Sequence, residues 1–279
     1  MNHSDNAATF ASFEEKWLAA YPEQRVVALF FDPVLRLPAS AFGCLAYEIE
    51  ETAFGIRETQ VAEAKLSWWR QELFNAAAGH PRHPITRLLF GEPDVAAIPA
   101  RDWNALIDGA LEQLDASGAA SLDELIARLD PFYSALANLE SKLLCDGRAN
   151  PESDAALWIL LHLLHALTRP ELDANLPPLD LCARHGLARA QLAQASPARD
   201  ALLRDFLSDI DREITGALGI ASVRPLGLAV RARLGRQLVA RAHAARDPHR
   251  YLVGHAQPHA WSSLWAAWRE ARAARRAQT

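Results

Sequence analysis

Asp205 and Asp209 stand four residues apart in Asp205-Phe-Leu-Ser-Asp209, and Glu213 extends the row. At helical pitch this spacing puts carboxylates on one face, where they could hold a hard, oxygen-seeking divalent cation. The plainer reading is a solvated helix edge, because Leu203, Phe206, Ile210 and Ala217 supply an apolar face beside the acids. Glu48 and Glu51 form another candidate pair, at i and i+3, with Glu50 between them. His162 and His165 lie three apart in an otherwise apolar run. Zinc needs three or four ligands and no partner set is spaced for it, so two hydrogen-bonded histidines beside a cavity are expected. His80 and His83 sit in the proline-rich turn HPRHP and read as structural or exposed; His249, His255 and His259 are irregularly spaced, which disfavours a metal. No site for a metal is therefore identified from spacing alone. No P-loop, GxSxG, HExxH or GxGxxG in a strand–helix context occurs.

The elements that must position these groups are helices. Apolar residues recur at helical spacing, and β-branched alternation is scarce. Ala62, Leu66, Trp69, Leu73 and Ala77 fall on one face of a helix that Gly79 and Pro81 stop. Gly55 separates the two helices on either side of it. Ser12-x-x-Glu15 and Ser121-x-x-Glu124 have the form of capping boxes. Pro131 should kink a helical stretch over Leu122 to Leu144, or start a new helix in it. Proline punctuation gives roughly ten helices with short connections, an all-α fold in a single domain over 1–279, with 1–10 disordered and 270–279 a tail.

The chain has 279 residues, 50% hydrophobic and 23% charged, enough to bury a large core. A net charge of −5 carries no signature of nucleic-acid binding. Three separated cysteines, Cys44, Cys145 and Cys182, imply neither a disulfide frame nor a zinc site and fit a reducing cytoplasm. The N-terminus lacks the basic and apolar regions of a signal peptide, and the longest apolar run, Ala155 to Leu167, is too short to span a bilayer. The stretch Arg224 to Arg276 is locally basic; it reads as a solvated helical face, or more sharply as a surface for an anionic membrane or a partner. Trp261, Trp265 and Trp268 repeat at i, i+4 and i+7, an aromatic stripe expected to dock on the core, with a peripheral membrane or partner contact as the alternative. Of the adjacent Trp68 and Trp69, one should bury and the other could line a groove.

Four patches in order resemble the squalene/phytoene synthase family: Phe30 to Phe54 ending AYEIEETAF, KLSWWRQEL over Lys65 to Leu73, HPRHP over His80 to Pro84, and LPPLDLCARHGL over Leu176 to Leu187. The resemblance implies an isoprenoid-synthase-like helical bundle around a central apolar cavity. In active members two aspartate-rich helices face each other across the cavity mouth. A Mg²⁺ cluster there bridges carboxylates to a substrate diphosphate, and the allylic C–O bond ionises. By the same resemblance, Glu48, Glu50 and Glu51 stand at the first acidic motif, and Arg36, Phe54, Trp69, His162 and His165 are candidate cavity-lining residues.

The chain departs from that pattern at both motifs. Phe54 occupies an i+4 carboxylate position, and a phenyl ring cannot ligate Mg²⁺. At the second motif Pro170 ends the helix, and Glu171 and Asp173 are two apart, so they share no face. The segment is thus most similar to the non-synthase branch that includes the mitochondrial complex I assembly factor of this type, a fold-level analogy. The resulting expectation is a protein with degenerate Mg²⁺-diphosphate motifs that keeps a cavity for a prenyl or other lipid ligand, or serves as an accessory or assembly protein. The alternative is an active prenyl-diphosphate transferase with altered ligands, Glu48, Glu50 and Glu51 forming one arm and Asp205 with Asp209 the other. Mg²⁺ would be needed only in that case.

Overall fold

A computed structural model describes residues 3–114, 118–173 and 175–277. Among the described residues the chain forms α1 (His3–Ala20), α2 (Glu23–Val27), α3 (Pro33–Gly55), α4 (Thr59–Ala77), α5 (Pro84–Leu89), α6 (Pro93–Ala96), α7 (Ala100–Glu112), α8 (Leu122–Leu144), α9 (Pro151–Leu167), α10 (Leu179–Arg184), α11 (Pro197–Gly219), α12 (Leu226–Ala244), α13 (Pro248–Gly254) and α14 (Ala260–Ala277). Two short 3-10 turns, Ala28–Phe30 and Arg189–Ala193, join them; the described residues contain no β-strand, only an isolated bridge between Ala149 and Val223. The fold is all-α, as the periodicity requires.

Local chemistry sets the helix starts. Pro33, Pro84, Pro93, Pro151, Pro197 and Pro248 each open a helix, where the missing N–H is no loss. Asp32, Ser121, Asn150, Ser196 and Asp247 precede helices and accept hydrogen bonds from their free N–H groups. At Ser121 the reciprocal bond goes one residue further back, with Glu124 accepting from the Ala120 N–H at 2.7 Å. Ser12 and Glu15 cap nothing, because they lie inside α1. Most of the stretch expected to be disordered over 1–10 belongs to that same helix. Phe10, Phe13 and Trp17, at i, i+3 and i+7, pack it on the core. The expected tail over 270–279 is likewise helical to Ala277; Ala271 is buried and Glu270 pairs with Arg233 at 2.5 Å.

The long helices pack in succession, α4 on α7, α7 on α8, α8 on α9, and α9 on α11 and α12, while α3 lies against α1, α4, α5 and α8. One continuous core runs through all of them, from Leu45 and Ile49 on α3 to Leu228 and Val239 on α12. Helix α8 continues through Pro131. Gly109 on α7 makes its closest approach there, and a Cβ on it would sit 2.6 Å from the Phe132 backbone.

Candidate functional site at the centre of the helical bundle

Helix α3 presents its three glutamates to different surroundings. Glu48 is buried and held between two ammonium groups, Lys16 at 2.6 Å and Lys65 at 3.0 Å. Burial opposes its charge, but the hydrogen bonds and charges of both lysines outweigh that and lower its pKa. Glu51 is only half-buried at the end of the helix.

Glu50 points inward to a cluster drawn from four other segments. Tyr133 of α8 donates to one carboxylate oxygen at 2.7 Å, and His162 of α9 stands 3.1 Å from that same oxygen. Tyr21, between α1 and α2, donates to the other at 3.2 Å. Arg231 of α12 stacks over the Tyr21 ring at 4.1 Å and the Trp158 ring at 4.6 Å. It also faces Glu23 at 3.7 Å. Burial alone would raise the Glu50 carboxyl. The hydrogen bond and charge of His162, the charge of Arg231 and the Tyr133 hydroxyl together hold it at about 2. Burial and then the Glu50 charge push both tyrosines well up, so they stay donors. Arg231 is buried yet kept charged by Tyr21, Glu23 and Glu50. Next to this cluster, burial raises Glu140 to about 7 although it accepts from Trp158 Nε1 at 2.9 Å. His165 is pushed down to about 4, by burial first and then by the charges of Arg231, His162 and Arg169 against that of Glu50.

The cluster divides the interior. On one side a narrow cavity of about 50 Å³ lies among Phe42, Gly43, Ala46, Leu136 and Leu228. On the other an opening of about 120 Å³ has Leu161, Leu164 and Leu238 as its floor and Arg241, His255 and His259 at its rim. Tyr21 and Arg231 line both. Each is smaller than the ~300–1,000 Å³ usual for a ligand cavity. The central apolar cavity expected from the sequence is therefore partitioned by an ionic, hydrogen-bonded wall.

The other candidates fall in different places. Phe54 lies on the His162 ring at 4.3 Å and stacks with Tyr133 at 6.2 Å, closing one flank of the cluster rather than lining either cavity. His165 does line the larger opening. Trp69 lines neither opening: it is fully buried against Trp68 and His83, because α4 turns that face to the core. Arg36 is exposed on the first turns of α3 and lines neither of the two openings. Glu171 and Asp173 are exposed after the end of α9, as Pro170 demands. Asp205 binds His185 at 2.9 Å, and Asp209 pairs with Arg212 at 2.8 Å beside a surface hollow that Glu50 does not share. The two carboxylate arms do not line a common cavity. Among the described residues no group of three or more His, Cys, Asp or Glu side chains could hold a metal ion.

Sequence reasoning missed Tyr21, Tyr133, Glu140 and Arg231. Arg231 was hidden within the basic stretch read as a solvated face. That reading fails there: the Arg231 side chain is only 10% exposed, and that of Arg224, which meets the buried Asp154 at 2.9 Å, only 11%. It also missed Glu72, whose carboxylate accepts from the N–H groups of Arg82 and His83 at 2.7 and 2.8 Å and from the Thr86 hydroxyl at 2.5 Å. This one side chain ties KLSWWRQEL to HPRHP, and Lys65 ties it to AYEIEE. The signal available was an acid on the apolar side of α4, three residues after Trp69.

No family model and no curated protein matches the chain. Solved structures do. A dehydrosqualene synthase, crystallised in complex with ligand, superposes with a TM-score of 0.72 at 14% identity, over 98% of this chain and 99% of that one. The chain shares the dehydrosqualene synthase fold. The squalene synthase HpnC from Alicyclobacillus acidocaldarius matches with a TM-score of 0.56 at 16% identity, over 98% and 97% of the two chains. The isoprenoid-synthase fold anticipated from the sequence patches is thus the fold of the protein.

Proposed function

We propose that this protein uses a synthase fold without synthase chemistry. It acts as an accessory or assembly protein that receives the polar end of a prenyl or other lipid molecule at the opening between α9, α12 and α13. The observation that carries this reading is the neutralisation of α3. Glu48 is spent on two lysines, and Glu50 on His162, Arg231 and two tyrosines. Metal-assisted ionisation needs free carboxylates converging from two sides to share cations with a diphosphate. Here the groups facing Glu50 are donors and a cation, which complement an anion directly. The opening beside them carries Arg241, His255 and His259 at its rim above an apolar floor, which suits an anionic head with a short apolar segment.

Titration calorimetry with farnesyl diphosphate tests this. Binding that persists in EDTA and weakens in Arg241→Gln is the expected result; Arg241 is exposed, so its replacement leaves the fold intact. Binding that needs Mg²⁺, or that ignores Arg241, would contradict the reading. Farnesyl diphosphate serves as the probe because it joins an anionic diphosphate head to a prenyl chain.

A further inference from the structure

Helix α14 carries its aromatic stripe on the outside. Ser263, Ala266, Ala267 and Ala271 face the protein, whereas Trp261 is 82% exposed, Trp265 50% and Trp268 46%. The expected docking of these tryptophans on the core is overturned, because the small residues form the seam and the large ones point away. At 100° per residue, Leu264, Arg272 and Arg275 fall on the same outward face as the three tryptophans, and Arg269 flanks it. Arg269 stacks over Trp265 at 4.8 Å and Arg272 over Trp268 at 5.3 Å. The surface continues onto the 3-10 turn Ala28–Phe30, against which α14 packs. Phe30 shares an apolar hollow with Trp268, Ala271, Arg272 and Arg275, and Leu29 beside it is 66% exposed.

We infer that this face is a docking surface for an anionic lipid bilayer. Charge decides the occupant. Glu270 is the one acid of α14, and it is turned inward onto Arg233, so among the described residues of α14 the outward face from Trp261 to Arg275 carries tryptophan and arginine but no acid. Tryptophan settles at the level of the lipid headgroups, and arginine adds attraction to anionic ones. No helix among the described residues is long and apolar enough to cross a membrane, so contact takes the form of a helix lying on the surface. This inference stands on the exterior of α14 and is independent of the function proposed for the interior.

The test is vesicle sedimentation of the full chain, with phosphatidylcholine alone and with equal parts phosphatidylcholine and phosphatidylglycerol, at low and high salt. The expected result is binding to the anionic vesicles only, reduced by salt, with a blue shift of tryptophan emission. Trp261→Ser with Trp265→Ser should weaken binding at least about tenfold. Arg269→Gln, Arg272→Gln and Arg275→Gln together should weaken it about a hundredfold. All five side chains are exposed, and unchanged thermal melts would confirm folding. Three outcomes would overturn the inference: no pelleting with anionic vesicles, equal pelleting with neutral ones, or a self-associated form in solution that the tryptophan variant disperses, which would make the face an interface between copies.

Discussion

The carboxylate of Glu50 on α3 and the imidazole of His162 on α9 stand 3.1 Å apart in the middle of the bundle. A bundle that ionises diphosphates through metal would set acid against acid at such a point. Here acid meets histidine, with Tyr21, Tyr133 and Arg231 closing the rest of the carboxylate's surroundings. The consequence is a charge balanced within the protein.

That balance predicts a pH dependence. The Glu50 carboxyl is depressed from its ordinary 4.5 to about 2. Its contribution is fully present above pH 4.5 and is lost as pH falls through 2. It amounts to about 3 kcal/mol at 1.36 kcal/mol per unit. Glu50→Gln would leave Arg231 without the charge of Glu50 and the cluster without its carboxylate, and should destabilise the fold by roughly 3–5 kcal/mol at pH 7. Denaturant melts at several pH values would show the penalty shrinking below pH 4.5; a penalty independent of pH would mean that Glu50 is not the ionised centre of the cluster.

Glu140 should behave in the opposite sense. Its folded-state pKa is raised to about 7, so its neutral form stabilises the fold below pH 4.5, and that stability is lost as pH rises through 7. Glu140→Gln keeps an acceptor for Trp158 and has no charge to bury. Relative to the natural protein, the variant should gain stability between pH 5 and 8 by up to about 3 kcal/mol. Parallel difference curves across that range would refute the assignment.

Gly109 should tolerate no side chain. A Cβ there would meet backbone atoms of Pro131 and Phe132 at 2.6–2.7 Å, and backbone cannot rotate aside. Gly109→Ala should therefore cost about 1–3 kcal/mol by forcing α7 from α8, despite alanine's better helix propensity. A melting temperature equal to or above that of the natural protein would show that the two helices separate freely.

Much of this was readable from residue order. Helical periodicity, proline punctuation and the cap residue Ser121 are local signals, and local physics fixed the elements they mark, although Ser12, of the same form, starts no helix. Phe54 and Pro170, which break the two motif patterns, were also visible within a few residues of sequence. What could not be read was the set of side chains around Glu50. Tyr21, Tyr133, His162 and Arg231 are spread over more than two hundred positions and meet Glu50 only through packing. A buried arginine looks like any other in a basic stretch until its neighbours are known. The tryptophan stripe was assigned the wrong direction for a related reason. The same helix carries small residues on the opposite face, and only the shape of α2 and α12 selects those as the seam.

The central claim is that the interior cluster replaces metal-assisted ionisation. It is tested most directly by measuring diphosphate release from farnesyl and geranylgeranyl diphosphate by the folded protein, with and without Mg²⁺, beside a Glu50→Ala/Glu51→Ala variant. The account predicts no Mg²⁺-dependent release above the protein-free rate. Release that requires Mg²⁺ and disappears in the variant would contradict it, and would make α3 the metal-binding arm of a working prenyl-diphosphate transferase.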